Sequence, residues 1–373
     1  MIKIKKLTLK ELSIPFKVSF SHASATRSKT ESVLAIAESE NSCTGYGEGC
    51  PRSYVTGETL ETSFQLFDAH QQQLIQIEDL NHLRSWISDH QAAIDRNPAA
   101  WCAIELALLD LLGKETEQPI ESLLSLPEIN GNFQYTAVLG VNSLRAFEKQ
   151  FRQYLEMGFE DFKLKVSGNL KEDQEKIKLF KTPNDDKLRI RLDANNFWET
   201  PDEAVEYIKK LEHSFFAIEE PLQTGQYEDC RRIYETIKIP IILDESFNRQ
   251  DQFSVLAQSP QTWMINLRVS KMGGIVRSLA IAEQADNAGI PVIVGAQVGE
   301  TSILTRAALT VANACSKNVV AQEGAFGTHL LERDITLNPI MFGKCGELSV
   351  TEFSQKSGLG VEISEADLLS MTR

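Results

Sequence analysis

Three short stretches decide the fold: Arg191-Leu192-Asp193-Ala194-Asn195-Asn196, Ile218-Glu219-Glu220-Pro221 and Leu243-Asp244-Glu245-Ser246. Each opens on an apolar run and carries an acid where the run stops. About 25 residues separate one acid from the next, roughly one strand–helix–strand repeat, so Asp193, Glu219 and Asp244 belong at neighbouring strand ends of a parallel sheet. Lys163-Leu164-Lys165 lies one unit upstream and Arg268 one unit downstream. Converging carboxylates repel one another unless a divalent cation sits among them. The spacing therefore predicts a hard metal site flanked by cationic side chains.

Outward from these stretches the same grammar continues. Strands are expected at Phe133–Leu139, Phe162–Val166, Leu188–Leu192, Phe215–Ile218, Ile239–Leu243, Trp263–Leu267, Pro291–Val294 and Val319–Ala321, with helices between them such as Leu144–Glu156, Lys171–Phe180, Asp202–Glu212 and Val276–Ala288. Eight such alternations fit a TIM-type (β/α) barrel of the α/β class, and no GxGxxG opens the first helix as a dinucleotide fold would require. In such barrels chemistry sits at the C-terminal ends of the strands, where the three acids fall.

Before the barrel the order is strands first and helices afterwards. Ile2–Ile14, Val33–Glu38 and Thr44–Gly49 read as strands, the last punctuated by Gly45, Gly47 and Gly49. Polar loops are expected at Ser21–Thr30, with His22, Arg27 and Lys29, and at Pro51–Gly57. A helix follows Asn97-Pro98, with Asn97 as its N-cap and Trp101, Ile104, Leu108, Leu111 and Leu112 on one face. The chain thus divides into an α+β capping domain at 1–126, the catalytic barrel at 127–345, and a tail at 346–373 that packs back on the capping domain.

Composition narrows the function. The 373 residues carry 52 acids against 38 bases, a formal charge of −14, which argues against nucleic acid as the main partner and for a small molecule. Six scattered cysteines show no CxxC spacing, so reduced thiols are expected rather than a zinc site or a disulfide framework. The N-terminus lacks the apolar core of a signal peptide and no run reaches membrane-spanning length, so a cytoplasmic protein is expected, with no membrane partner. A symmetric homo-oligomer is the prior for such a chain.

Lys163 and Lys165 point to the same side of their strand. Two ammonium groups held this close depress each other's pKa, which brings a lysine toward use as a general base. The Lys-x-Lys, the Asp-Ala-Asn, the Glu-x-Pro, the Asp-Glu-Ser and Gly273-Gly274 together resemble the enolase superfamily, in particular its muconate-lactonizing-enzyme subgroup with its dipeptide epimerase, muconate cycloisomerase and o-succinylbenzoate synthase relatives. The resemblance spans essentially the whole chain. It implies Mg²⁺ on Asp193, Glu219 and Asp244, with Lys165 as the base that removes the proton α to a substrate carboxylate and Lys163 assisting it. By the same resemblance, Asn195, Asn266, Gln297, Glu300, Glu323, Arg27 and Tyr54 face the substrate.

One position departs from the subgroup. Its sixth strand typically presents a lysine opposite the Lys-x-Lys, whereas Ile265-Asn266-Leu267-Arg268-Val269-Ser270-Lys271 places Arg268 there. An arginine, with a pKa above about 12, is a poor proton shuttle but holds a carboxylate well. Glu245 is expected to pair with Arg268 and orient it. The leading expectation is a Mg²⁺-dependent isomerase of the epimerase, racemase or cycloisomerase type. A one-base lyase or dehydratase is the runner-up, and a non-catalytic metal- and carboxylate-binding protein the alternative from another class.

Overall fold

The computed structural model describes residues 1–22, 25–181 and 187–372, with side-chain surroundings outside 19–26. The chain opens with β1 (Ile4–Leu12), β2 (Pro15–His22), β3 (Ala25–Lys29), β4 (Ser32–Ser39) and β5 (Thr44–Gly49). Antiparallel pairing orders three of them as β1-β4-β5. The stretch expected as a polar loop, Ser21–Thr30, is instead largely strand, because β2 and β3 form a separate two-stranded ribbon. A ribbon outside the main sheet needs no apolar alternation, so periodicity does not reveal it. The side chain of His22 lies outside the described residues.

Helices α1 (Leu60–Leu74), α2 (Leu80–Asp89), α3 (Gln91–Arg96) and α4 (Pro98–Glu115) follow. Helix α4 is buried from Pro98 to Gly113 and lies directly on β5. The alternating glycines of β5 make that approach possible. A Cβ at Gly45, Gly47 or Gly49 would fall 2.2, 2.1 or 1.9 Å from the carbonyl oxygen of Ala107, Ala103 or Ala99. These glycines are a strand face stripped of side chains rather than turn punctuation. The expected cap also changes. Asn97 makes no side-chain cap hydrogen bond, and the first free N–H groups of α4, on Ala99 and Ala100, donate to the Glu58 carboxylate at 2.9 and 2.8 Å. An anion at a helix N-terminus satisfies both the orphan donors and the dipole.

After α5 (Ile120–Leu123), the expected strand Phe133–Leu139 splits into β6 (Asn132–Gln134) and β7 (Ala137–Leu139). The barrel is then built from β7, α6 (Leu144–Glu156), β8 (Asp161–Lys165), α7 (Leu170–Lys178), β9 (Arg189–Asp193), α8 (Pro201–Lys210), β10 (Ala217–Glu219), α9 (Tyr227–Ile237) and β11 (Ile241–Leu243). It continues through α10 (Phe253–Leu256), β12 (Trp263–Arg268), α11 (Val269–Met272), α12 (Ile275–Asn287), β13 (Val292–Gly295), α13 (Ser302–Ala314) and β14 (Val319–Gln322). Strands β7 to β14 are parallel neighbours in sequence order, and Thr136 N–H donates to the Gln322 carbonyl at 2.8 Å across the seam between first and last. Beyond the barrel, β15 (Glu347–Ser349) pairs with β6, and after α14 (Glu365–Met371) Thr372 bridges back to Leu12. Among the described residues no helix is long and apolar enough to cross a membrane.

Strand parity fills the barrel interior in layers. Ala217, Ile242, Met264, Ile293 and Ala321 form a small apolar cluster apart from the main core. Two residues further along the same strands stand Glu219, Asp244, Asn266, Gly295 and Glu323, so the next layer is polar. Gly295 is small for a reason: a Cβ there would meet Asn266 Oδ1 at 2.0 Å.

Two outcomes are expected from this packing. Gly47→Ala forces backbone apart between β5 and α4 and should lower unfolding stability by about 3 kcal/mol in urea titration. Glu48, buried between these glycines and receiving Thr301 N–H and O–H, is pushed up to about 7 by burial. A carboxyl raised on folding favours the native state at low pH and loses that contribution as pH climbs through its folded value. The stability of Glu48→Gln relative to wild type should therefore improve between about pH 4.5 and 7, with a slope of at most about 1.4 kcal/mol per pH unit.

Candidate active site

Register places the acids. Lys165 pairs with Asp193 and Asp193 with Glu219, so these three residues end adjacent strands β8, β9 and β10 at one level. Asp244 follows β11 and Arg268 ends β12. In a ring of eight strands the second and sixth, β8 and β12, stand across from one another, which sets Lys165 and Arg268 on opposite walls. Both line a cavity of about 770 Å³, together with Lys163, Asp193, Asn195, Glu245, Gln297, Glu323 and Tyr54.

In and around it the strand-end carboxylates meet side-chain cations. Lys163 Nζ lies 3.0 Å from both oxygens of Glu219, 2.9 Å from Glu323 Oε2 and 3.5 Å from Asp193 Oδ2. Lys165 Nζ donates to Asn195 Oδ1 at 2.7 Å and sits 3.2 Å from Asp193 Oδ2. Arg191 reaches Glu323 Oε1 at 2.7 Å. Arg268 pairs with Asp244 Oδ2 and donates to Gln297 Oε1 at 2.9 Å. Beneath it, Lys271 Nζ holds Asp244 Oδ1 at 3.1 Å and the carbonyls of Asp244 and Asn266 at 2.7 and 2.8 Å.

These contacts correct several expectations. Lys163 is not depressed by its neighbouring lysine: burial pulls it down, but Glu219, Glu323 and Asp193 outweigh burial and hold it above the usual lysine range. Burial would raise Glu323 and Asp193, yet Lys163 with Arg191 in one case and Lys165 with Lys163 in the other leave both below the usual carboxylate range. Glu245 is not the partner of Arg268. That partner is Asp244, and Glu245 Oε2 has no hydrogen-bond partner, while burial pushes Glu245 up to about 8. Asn266 does not face the cavity; it is wholly buried and donates to Glu219 Oε1 at 3.1 Å. Glu300 turns back to accept Gln297 N–H at 2.6 Å and stays out of the cavity wall. Arg27 also stays out, pairing with Glu31 and resting 5.7 Å from the centre of the Tyr54 ring. Arg52, in the stretch Pro51–Gly57 expected as a polar loop, is fully buried and donates to the carbonyls of Glu31, Pro51 and Val298 at 2.8 Å.

Glu220, the rival to Glu219 as a ligand, does not line the cavity. Its backbone is left-handed, with φ of 41°, and its carboxylate accepts Asp244 N–H at 2.6 Å, Ser246 N–H at 2.7 Å, Ser246 O–H at 2.7 Å and Asn196 Nδ2 at 3.1 Å. It ties the loop ends after β9, β10 and β11 together. Asn195 and Asn196 are left-handed as well, at 44° and 61°, which their short amide side chains tolerate. The only sequence signal for this is the repeated pairing of an acid or amide with the candidate ligand.

Fold and site define a (β/α)₈-barrel enzyme of the enolase superfamily. Residues 3–125 match the family model described as Mandelate racemase / muconate lactonizing enzyme, N-terminal domain, and residues 146–367 the one described as Enolase C-terminal domain-like. The chain belongs to this family. It is 27% identical over 373 residues to a hydrophobic dipeptide epimerase of Enterococcus faecalis, covering 96% of this chain and 99% of that protein. The crystal structure of that epimerase with Mg and the dipeptide L-Leu-L-Tyr superposes with a TM-score of 0.83 over 96% of this chain and 99% of the other. An N-succinyl-L-Arg/Lys racemase of Bacillus cereus is 25% identical over 372 residues, covering 100% and 98%. Its crystal structure gives a TM-score of 0.86 at 26% identity over 99% and 98%. A muconate lactonizing enzyme of Pseudomonas fluorescens, at 23% identity and a TM-score of 0.88 over the full length of both chains, shares the fold. These relatives are isomerases, and Mg accompanies the dipeptide in the epimerase structure.

Lys163 is the one cation among the described residues shared by three buried acids, so its removal tests the electrostatic frame. Lys163→Met leaves Glu219 facing Glu323 and Asp193 without it and should cost about 3–5 kcal/mol of unfolding free energy. Chemical denaturation at neutral pH measures the loss, and a cost below about 1 kcal/mol would show that the frame does not depend on this ammonium.

Proposed function

We propose that this chain is a Mg²⁺-dependent isomerase that exchanges the proton α to a substrate carboxylate. The observation that carries the reading is the opposition, across one cavity, of a lysine amine on β8 and a guanidinium on β12, with three strand-end acids beside them.

The donor set fits a hard divalent cation: Asp193, Glu219 and Asp244 offer carboxylate oxygens only. In the structure Lys163 Nζ already sits between Glu219 and Asp193, a cationic stand-in at 3.0 and 3.5 Å. As the side chains stand, no three acidic, histidine or cysteine side chains of the described residues are gathered as a metal cluster, and Asp193, Glu219 and Asp244 are each paired with lysine or arginine. Asp193, Glu219 and Asp244 would hold the ion. When bound, it supplies positive charge against the charge that builds on the substrate carboxylate.

The chain's own residues do the rest. Lys165 Nζ, steadied by Asn195 Oδ1, takes or delivers the α-proton on its own face, as in a cycloisomerisation, where a bond at the neighbouring carbon forms or breaks as the proton leaves or arrives. Lys163 and Arg268 stabilise the developing oxyanion from two sides. Gln297 keeps the guanidinium plane turned into the cavity. Arg268 stays charged and passes no proton, so proton transfer is confined to the Lys165 face. That confinement also favours a second reading, a one-base lyase that loses water from the intermediate. Proton exchange in D₂O separates the two. Deuterium entering the α-position of one antipode without loss of water supports one-base isomerisation, deuterium in both antipodes would require a second proton-transfer group opposite Lys165, and loss of water supports the lyase.

Two measurements test the assignments. Lys165→Ala should lower α-deuterium exchange by about 10²- to 10⁴-fold while leaving the circular dichroism spectrum unchanged. Asp244→Asn should weaken Mg²⁺ binding by calorimetry, and unaltered affinity would remove Asp244 from the ligand set.

A further inference from the structure

The cavity extends well beyond the ring of charges. At about 770 Å³ it lies in the upper part of the ~300–1,000 Å³ range that accommodates drug-sized ligands. One lobe runs along the seam between β7 and β14. Helix α6 contributes Gln150, Gln153 and Tyr154, and Met157 follows at its end; this i, i+3, i+4, i+7 spacing lies on one helical face. Val138 on β7 and Phe326, Leu330 and Phe342 complete the wall.

No charged side chain among the described residues lines this lobe. Among the described residues the charged groups of the cavity are Lys163, Lys165, Asp193, Glu245, Arg268 and Glu323, and its one histidine, His329, has Nε2 on the Phe342 carbonyl at 2.9 Å. Glu323 is the acid nearest the seam, and its two oxygens are taken by Arg191 at 2.7 Å and Lys163 at 2.9 Å. Glu245 follows β11, on the far side of the ring. A charged tail entering the lobe would lose water and meet no opposite charge among the described residues. An alkyl tail would lose only unfavourable hydration.

We propose that the substrate's end remote from its carboxylate is uncharged and apolar, and that it lies between α6 and the wall formed by Phe326, Leu330 and Phe342. This rests on the reading that the carboxylate head sits between Lys165 and Arg268. A free ammonium or a second carboxylate at the tail is selected against. Gln150 and Gln153 leave room for one neutral hydrogen-bonding group, such as an amide, along the way.

Calorimetry on the Mg²⁺-loaded full chain tests this with N-acyl-2-aminoisobutyrates, which lack an α-proton and so separate binding from turnover. From acetyl to hexanoyl the Kd should fall roughly fourfold per added methylene. Probes of equal length ending in carboxylate or ammonium should bind at least about tenfold more weakly than the alkyl ones. A Kd indifferent to chain length, a charged end that binds as tightly, or no binding by any probe overturns the proposal. Gln150→Lys should shift preference at least about fivefold toward the carboxylate-ended probe, and an unchanged preference counts against the lobe. The α-deuterium exchange of amino-acid substrates decides the underlying reading separately, since exchange can persist when the tail preference fails.

Discussion

The structure depends on mutual neutralisation of charge inside the barrel. A (β/α)₈ interior is ordinarily filled by branched apolar side chains, and here the lowest inward layer, with Met264 and Ile293, conforms. The next layers do not. Asp193, Glu219, Asp244 and Glu323 are nearly excluded from solvent, and each is tolerable only because Lys163, Lys165, Arg191, Arg268 or Lys271 is within ion-pair distance. Apolar residues of the same volume would pack such an interior as well or better, so the charges are not explained by stability. They are explained by a task that needs concentrated carboxylate and ammonium groups in a dry site, where electrostatic interactions are far stronger than in water.

That frame also explains how rigidly the strand ends are held. Glu220 lies in a left-handed backbone conformation that a non-glycine residue seldom adopts, and four hydrogen bonds onto the two neighbouring loops over-determine it. Lys271 supports the site from below by holding both the side chain and the carbonyl of Asp244. Neither residue touches the cavity. Both fix the groups that do, in the way a functional constellation needs support from behind.

What the sequence made legible follows from what is local. An apolar run that ends in an acid reads as a strand end, and parity puts Lys163 with Lys165, so these strand-end groups could be placed together in advance, whereas the same parity argument groups Asn266 with Arg268 and only Arg268 lines the cavity. The partners of these groups could not be placed. Whether Arg268 meets Asp244 or Glu245 depends on which way the loop after β11 turns, and that turn is set by Glu220 from the neighbouring loop. Arg52 and Glu58 look like loop charges until α4 and the Val298 carbonyl are brought against them. The glycines of β5 read only as punctuation of a strand because nothing in the local pattern announces a helix lying about 60 residues further on. Long-range contact, rather than weak local signal, was the missing information in each case.

The replacement at residue 268 then acquires a structural consequence beyond its pKa. A guanidinium offers donors in a planar fork, and this one uses two of them at once, on Asp244 and on Gln297. An ammonium at the end of a flexible stem would hold neither the plane nor the spacing. Arg268 thereby couples the acid after β11 to the loop after β13, two strand ends that share no backbone hydrogen bond, and covers Asp244 from the cavity side. Any cation that takes Asp244 as a ligand must first share or displace this guanidinium. Its release would leave a planar cation free beside the incoming carboxylate and opposite Lys165. With Asp244 as a ligand, metal binding and substrate anchoring would be linked through this one side chain, whose two-point hold on Asp244 and Gln297 is what the planar guanidinium allows.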